Sequence, residues 1–258
     1  MTQAMNAATS ICGYDSETIT VRGRNLVTDL MGKLTFSQMM LLHYTGALPS
    51  AAQSTILDAV MVTIMEHGMV PSAVVARLTN YGAPESYQGA IAAGLLGVGD
   101  RFAGTASACA ELLDQLVVLP EAERPDAACE LVQSLRTLKK PVPGFGHPIH
   151  TGGDPRVARL MNVVRTAGAP GAHLQALGVL EQAVDTVVRK NLVTNVSAAI
   201  AVALGEAGVP SKAMRGVVLT ARCAGLAGHL LEEQERPLSP FLNSVIEQSV
   251  TYEEAGAE

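Results

Sequence analysis

The residues best able to do chemistry lie in one sixteen-residue stretch, Pro141-Val-Pro-Gly-Phe-Gly-His147-Pro-Ile-His-Thr-Gly-Gly-Asp154-Pro-Arg156. It holds four prolines, four glycines, two histidines and an Asp-Pro-Arg triplet. Irregular segments carrying His and Arg between apolar helices are where binding and catalysis concentrate. Gly144 and Gly146 let the backbone approach a ligand closely, and Pro141 and Pro143 stiffen that approach. Arg156 falls in the first turn of the helix that follows, whose N–H groups favour an anion. Such a set can bind a carboxylate and place the His147 imidazole at an adjoining carbonyl or hydroxyl carbon. The imidazole can give or take a proton there near neutral pH. A lone turn histidine would be bonded to nearby backbone; the flanking Gly, Pro and Arg favour the functional reading of His147. His150 has no such support and is read as a polar loop residue.

The elements around this stretch are helical. Thr35-Phe-Ser-Gln38 and Ser50-Ala-Ala-Gln53 each fit a capping box. They predict helices to about Thr45 and Glu66, followed by Gly46 and Gly68. Ser72 is read as the cap of a helix to Asn80, and Pro84 as a first helical residue before Glu85–Leu96. A glycine break at Gly97-Val-Gly99 separates that helix from Thr105–Leu116. Further helices are expected over Asp126–Leu138, from Asp154 as N-cap to Arg165, through Leu174–Val188, over Val196–Glu206, and from Ser211 to about Arg236. Apart from a short Thr18–Val21 segment, strand alternation is absent. The expectation is an all-α protein of around ten helices.

Composition narrows the function classes. Of the 258 residues, 48% are hydrophobic and 16% charged, with 3% aromatic and no Trp. That is too apolar for disorder, and it points to a subunit interface that covers apolar surface. Net charge is −6, with no basic stripe, so nucleic-acid binding is not expected. Cys12, Cys109, Cys129 and Cys223 show no metal-ligand or disulfide spacing and are read as reduced core thiols of a cytoplasmic protein. No metal site is expected. Neither a signal peptide nor a membrane-spanning run is apparent. Gly97-x-Gly99 completes no dinucleotide fingerprint. His43 and His173 are read as ordinary helix residues, and Arg22 and Arg24 as solvated surface arginines.

Pro143-Gly-Phe-Gly-His147, followed by Asp154-Pro-Arg156, resembles the citrate synthase family. Three further segments resemble it: Glu66-His67-Gly68; Gly94-Leu-Leu-Gly-Val-Gly-Asp-Arg-Phe-Ala-Gly104, which is similar to the citryl-CoA lyase module of ATP-citrate lyases; and Asn191-Leu-Val-Thr-Asn-Val-Ser197. The helix ending Gly228-His229-Leu-Leu-Glu232 has a similar look. The likeness spans about residues 20–240. It implies an all-α, citrate-synthase-like multi-helix fold with a large helical domain and a small helical lobe, read as one domain over 1–258. It implies that Pro143, Gly144, Phe145 and Gly146 contact coenzyme A. It further implies that His147 and His67 contact the carbonyl or hydroxyl oxygen of the substrate, and that Arg156 binds a carboxylate. Arg101 is a weaker candidate for a carboxylate or CoA phosphate.

Two departures matter. Phe102 stands near the position where citrate synthases carry an enol-stabilising His, as it does in the lyase module. Ser197 replaces the family's Asp, which moves the proton on the acetyl methyl group. A neutral hydroxyl is not an ordinary base, and a positioned acid/base is worth on the order of 10²–10⁴ in rate. The resemblance therefore implies citryl-CoA lyase-type cleavage, or the reverse condensation, of a 3-hydroxy-3-carboxyacyl-CoA, giving an acyl-CoA and a 2-oxo acid. Water, a backbone N–H, or Ser197 as a hydrogen-bond donor would stabilise the enolate released there. The CoA thioester is substrate, no cofactor is permanently bound, and a homodimer or higher homo-oligomer is expected. The alternatives are a homologue acting on a different acyl-CoA and 2-oxo acid, and a non-catalytic CoA-thioester-binding subunit.

Overall fold

Both capping boxes form as read. Thr35 Oγ1 accepts from Gln38 N at 3.3 Å while Gln38 Oε1 accepts from Thr35 N at 2.9 Å. The Ser50 and Gln53 pair repeats the exchange at 3.2 and 2.9 Å. These start two of the eleven α-helices that a computed structural model shows among its described residues, 7–146, 153–190 and 192–254. The helices are α1 (Phe36–Thr45), α2 (Ala51–Met65), α3 (Pro71–Gly82), α4 (Tyr87–Leu96), α5 (Gly99–Val117), α6 (Arg124–Thr137), α7 (Pro155–Thr166), α8 (Ala172–Val188), α9 (Val196–Glu206), α10 (Ser211–Glu235) and α11 (Ser239–Ser249). A three-stranded antiparallel sheet precedes them, β1 (Cys12–Tyr14), β2 (Ile19–Val21) and β3 (Arg24–Asn25). Its register sets Cys12 opposite Val21 and Thr20 opposite Asn25. A π-helical turn, Leu26–Leu30, follows.

Several local readings are corrected. Ser72 does not cap α3: the helix begins at Pro71 after Val70, and Ser72 is buried in it. Pro84 lies in the turn before α4 rather than in its first turn. The glycine break is shorter than expected, because α5 already starts at Gly99. α11, which starts at Ser239-Pro240 without a side-chain cap, adds a helix beyond those expected. Of the four cysteines only Cys109 is fully buried, and Cys12 is exposed on the hairpin. Arg22 is not a free surface arginine. It sits at φ 50°, and its Nε donates to the His43 carbonyl at 3.1 Å, fastening the sheet to α1.

The chain divides into two units, residues 1–60 with 105–214, and residues 61–104 with 215–258. In the first, α9 is the central helix: Ala198 through Leu204 are all buried. A helix apolar on every side belongs in a core, and its alanines let α7 and α8 pack closely on it. At its end, buried Glu206 accepts from the N–H groups of Gly171 and His173, both at 2.7 Å, and of Leu174 at 3.2 Å. The start of α8 is thus capped from another helix, since Gly171 has no side chain to do it.

In the second unit α3 packs on α4, around a small core of Ala73, Ala76, Ala90, Leu226 and Leu230. Close approach is set by glycine. A Cβ on Gly225 of α10 would lie 2.0 Å from the Met65 carbonyl oxygen, against which the backbone must move. Gly225→Ala is expected to cost about 1–3 kcal/mol by overpacking. That corresponds to a Tm lower by roughly 3–10 °C for a chain of this size. Gly228→Ala, whose added Cβ meets nothing within 4 Å, should leave Tm unchanged or raise it. Calorimetry on the two variants checks the contrast.

Candidate functional site

The Pro-Gly-Phe-Gly loop is held to the segment that leads into α9. Gly146 N–H donates to the Val193 carbonyl at 2.8 Å, and Asn195 N–H donates to the Gly144 carbonyl at 2.9 Å. Phe145 pairs with Thr194 as an isolated antiparallel bridge. The Asn195 side chain adds a third tie, Nδ2 to the Gly146 carbonyl at 2.9 Å. The same side chain is the N-cap of α9, with Oδ1 accepting from Ser197 N at 2.9 Å. Asn is suited to both tasks because its amide carries donor and acceptor together.

Glycine is required in this loop. Gly144 sits at φ 89°, and a Cβ there would lie 2.8 Å from both Ala198 Cβ and Cys109 Sγ. The loop therefore rests directly on α9 and α5. Cys109 supports it from behind; burial pushes its thiol up to about 12, so it stays protonated and inert at neutral pH.

At the start of α7, Asp154 is an N-cap as expected, accepting from Arg156 N at 3.0 Å. Its carboxylate also accepts from Arg156 Nε at 3.0 Å and from Nη2 at 2.7 Å. Asp154 is fully buried, whereas the Arg156 side chain keeps 28% exposure. A buried carboxylate thus takes the Nε/Nη2 edge of a part-exposed guanidinium and fixes its orientation. Beside it a cleft of about 620 Å³ is lined by Asp154, Met161, Arg165, Glu181, Val193 and Thr194, among others.

His67 belongs to the other unit. It follows α2 in an exposed turn closed by Gly68 at φ 72°. Glu66 Oε1 accepts from His67 N and from Gly68 N, both at 2.7 Å. From α10, His229 Nε2 reaches Glu66 at 3.1 Å, and Arg222 Nη1 donates to the Met65 carbonyl at 2.8 Å. Burial disfavours charge on Glu66, but the His67 N–H, the His229 ring and the Gly68 N–H outweigh it and hold the carboxyl below the usual range. Glu66 is therefore charged at neutral pH, and its hold on the turn is lost only as pH falls below that range.

The structure thus brings together Pro143, Gly144, Phe145, Gly146 and Ser197 in one unit, with Arg156 at the head of α7 in the same unit. His67 stands in the second. Arg101 and Phe102 lie in the first turns of α5, in the second unit, and only their backbone is described. His147, His150 and Asn191 lie outside the described residues. Sequence reasoning missed Arg77 and Arg222, which are 1% and 5% exposed. Their signal was an arginine on the apolar face of a helix, between Ala73, Ala76 and Asn80 for one and among Ala221 and Leu226 for the other. Among the described residues no cluster of three His, Cys, Asp or Glu side chains is placed to hold a metal. No helix among them is long and apolar enough to cross a membrane.

The chain is similar to known proteins over most of its length. The probable ATP-citrate synthase subunit 1 of Neurospora crassa is 26% identical over 212 residues, 76% of this chain and 31% of that protein. The ATP-citrate synthase subunit 1 of Sordaria macrospora matches to the same extent, at 26% identity over 76% of this chain and 30% of its own length. The chain thus spans about a third of the curated relatives it matches. Among solved structures, the citryl-CoA lyase of Hydrogenobacter thermophilus superposes with a TM-score of 0.84 at 29% identity, covering 98% of this chain and 96% of that one. The ATP citrate lyase of Methanosaeta concilii, solved with (3S)-citryl-CoA, gives 0.76 at 19% identity over all of this chain and 43% of that one, a likeness of fold alone. The all-α, citrate-synthase-like architecture is the one expected. Residues 18–240 match the model of the citrate synthase C-terminal domain, and the chain belongs to the citrate synthase family.

Proposed function

We propose that this chain is a citryl-CoA lyase-type enzyme, cleaving a 3-hydroxy-3-carboxyacyl-CoA to acetyl-CoA, or another acyl-CoA, and oxaloacetate or a related 2-oxo acid, or running the reverse condensation. The observation that carries the reading is the double attachment of Asn195. It holds the Pro143–Gly146 backbone, which leads into His147, against the first turn of α9, which carries Ser197. Two segments far apart in sequence, one for the thioester and carbonyl and one for the enol carbon, become one rigid surface. The likeness to a citryl-CoA lyase over nearly the full length of both chains supports it.

In this reading residues 1–258 act as one domain, working as a homodimer or higher homo-oligomer in the cytoplasm. The CoA thioester is substrate and no cofactor stays bound. Pro143, Gly144, Phe145 and Gly146 seat coenzyme A; Arg156, aimed by Asp154, takes a carboxylate; Arg101 and Phe102 line the substrate. His67 and His147 meet the tertiary oxygen. A base removes the hydroxyl proton, the O–H pair closes a carbonyl, and the C–C bond breaks. Its electron pair leaves on the thioester as an enolate, which takes a proton to give the acyl-CoA. Ser197 donates a hydrogen bond to that enolate, and the N-terminus of α9 favours its charge.

Purified protein incubated with citryl-CoA should release acetyl-CoA and oxaloacetate, read by chromatography and mass spectrometry. Absence of both products, with CoA esters still raising Tm, would instead favour a non-catalytic binding subunit, the reading that Ser197 itself suggests. Ser197→Asp restores a carboxylate at the enol carbon. It should accelerate solvent deuterium exchange into the acetyl-CoA methyl group by on the order of 10²-fold; no gain would place different chemistry here. Asn195→Ala removes both the loop tie and the cap. It should lower kcat/KM for citryl-CoA at least about tenfold and cost about 1–3 kcal/mol in denaturant unfolding.

A further inference from the structure

We propose that His229 is a positioning residue: through the Glu66 carboxylate it holds the backbone turn that presents His67. The proposal rests on the reading of His67 as a substrate-contacting residue.

The argument begins with a buried cation. Arg77 of α3 is 1% exposed, so its guanidinium must be paired. Two carboxylates of α10 do this, Glu233 at 2.8 Å from Nη1 and Glu232 at Nη2. Glu233 is itself oriented by the Ser239 N–H of α11 at 2.8 Å. Two further Arg77 donors face His229 Nδ1, Nε at 3.2 Å and Nη2 at 2.9 Å. A guanidinium only donates, so Nδ1 must accept. The imidazole proton then sits on Nε2, the nitrogen that faces Glu66 at 3.1 Å. Arg77 thereby selects the tautomer of His229, and that tautomer turns the ring into a donor to Glu66.

Glu66 spends its other bonds on the turn. It accepts from the N–H groups of both His67 and Gly68. Its side chain is 53% exposed, so water competes for it, and a carboxylate on a mobile stem would not fix a backbone. His229 is only 11% exposed and supplies a rigid partner. Gly225 lies one helical turn before His229, with room for no Cβ against the Met65 carbonyl. α10 is therefore pressed directly on the end of α2 from which this turn leaves. The other charge facing Glu66 is Arg222, at 3.9 Å. The hydrogen-bond chain runs in one direction, Arg77 to His229 to Glu66, and ends on the His67 turn.

Two measurements separate this proposal from the function on which it rests. Amide hydrogen exchange needs no turnover. In His229→Leu the His67 and Gly68 amides should exchange about tenfold faster, and Glu66→Ala, which leaves no hole in the core, should do the same. In His229→Gln, whose amide N–H can still reach Glu66, exchange should stay near wild type. Unchanged exchange in folded His229→Leu, or in Glu66→Ala, overturns the relay. Kinetics tests the link to chemistry. His229→Leu should lower kcat for citryl-CoA about tenfold with little change in KM, and should have no further effect in a His67→Ala background. Additive losses in that cycle would assign His229 a merely structural role and overturn the proposal. Wild type without turnover, but with the exchange pattern present, would overturn the lyase reading and leave the relay standing.

Discussion

A single amide side chain joins a loop and a helix of the first unit. Asn195 caps α9, and with its other end it holds the Gly146 carbonyl. Asp or Ser would cap a helix as well. Asp lacks the N–H for the loop carbonyl, and Ser is too short to span both. The backbone of residues 144–146 is irregular and half-buried, so its polar groups need partners. Asn195, with the Val193 carbonyl and its own N–H, provides them. These bonds hold the loop where the left-handed Gly144 is pressed on Ala198 and Cys109.

The second unit solves the same problem with charge. The turn at His67 is likewise irregular, and one carboxylate, Glu66, takes up its N–H groups. Glu66 is backed by His229 and, at 3.9 Å, by Arg222 from α10, and His229 by a buried arginine. A buried guanidinium gives little net stability compared with apolar packing. What it provides here is direction, because it can only donate and so dictates which way the next bond points. In each unit one polar side chain satisfies an irregular segment that carries a histidine at or beside it.

Ser197 occupies the second position of α9. A carboxylate there would sit in the favourable field of a helix N-terminus, and its charge would make it a base. The cap that positions residue 197 uses only its backbone N–H, so replacing Asp by Ser leaves the geometry intact. In the proposed reaction Ser197 would hold that place with a neutral hydroxyl, a hydrogen-bond donor and not a base.

Much of the helical framework was legible locally. The two capping boxes, the Gly46 stop and the Asp154 cap all act within about four residues, where chemistry and neighbours appear together in the sequence. The motif residues were legible too, because glycine, proline, histidine and arginine rarely crowd together without cause. Where local signals were weak or doubled, the reading slipped: Ser72 resembles a cap yet is buried, and α11 begins without one. Tertiary structure alone decided which partners those residues find. Asn195 and Gly146 are 49 positions apart, and Arg77 and His229 are 152 apart. Such bonds depend on how closely helices can approach, which small residues such as Ala198 and Gly225 control by what they lack. No local pattern encodes that distance, because it is the joint result of packing two surfaces that the sequence writes far apart.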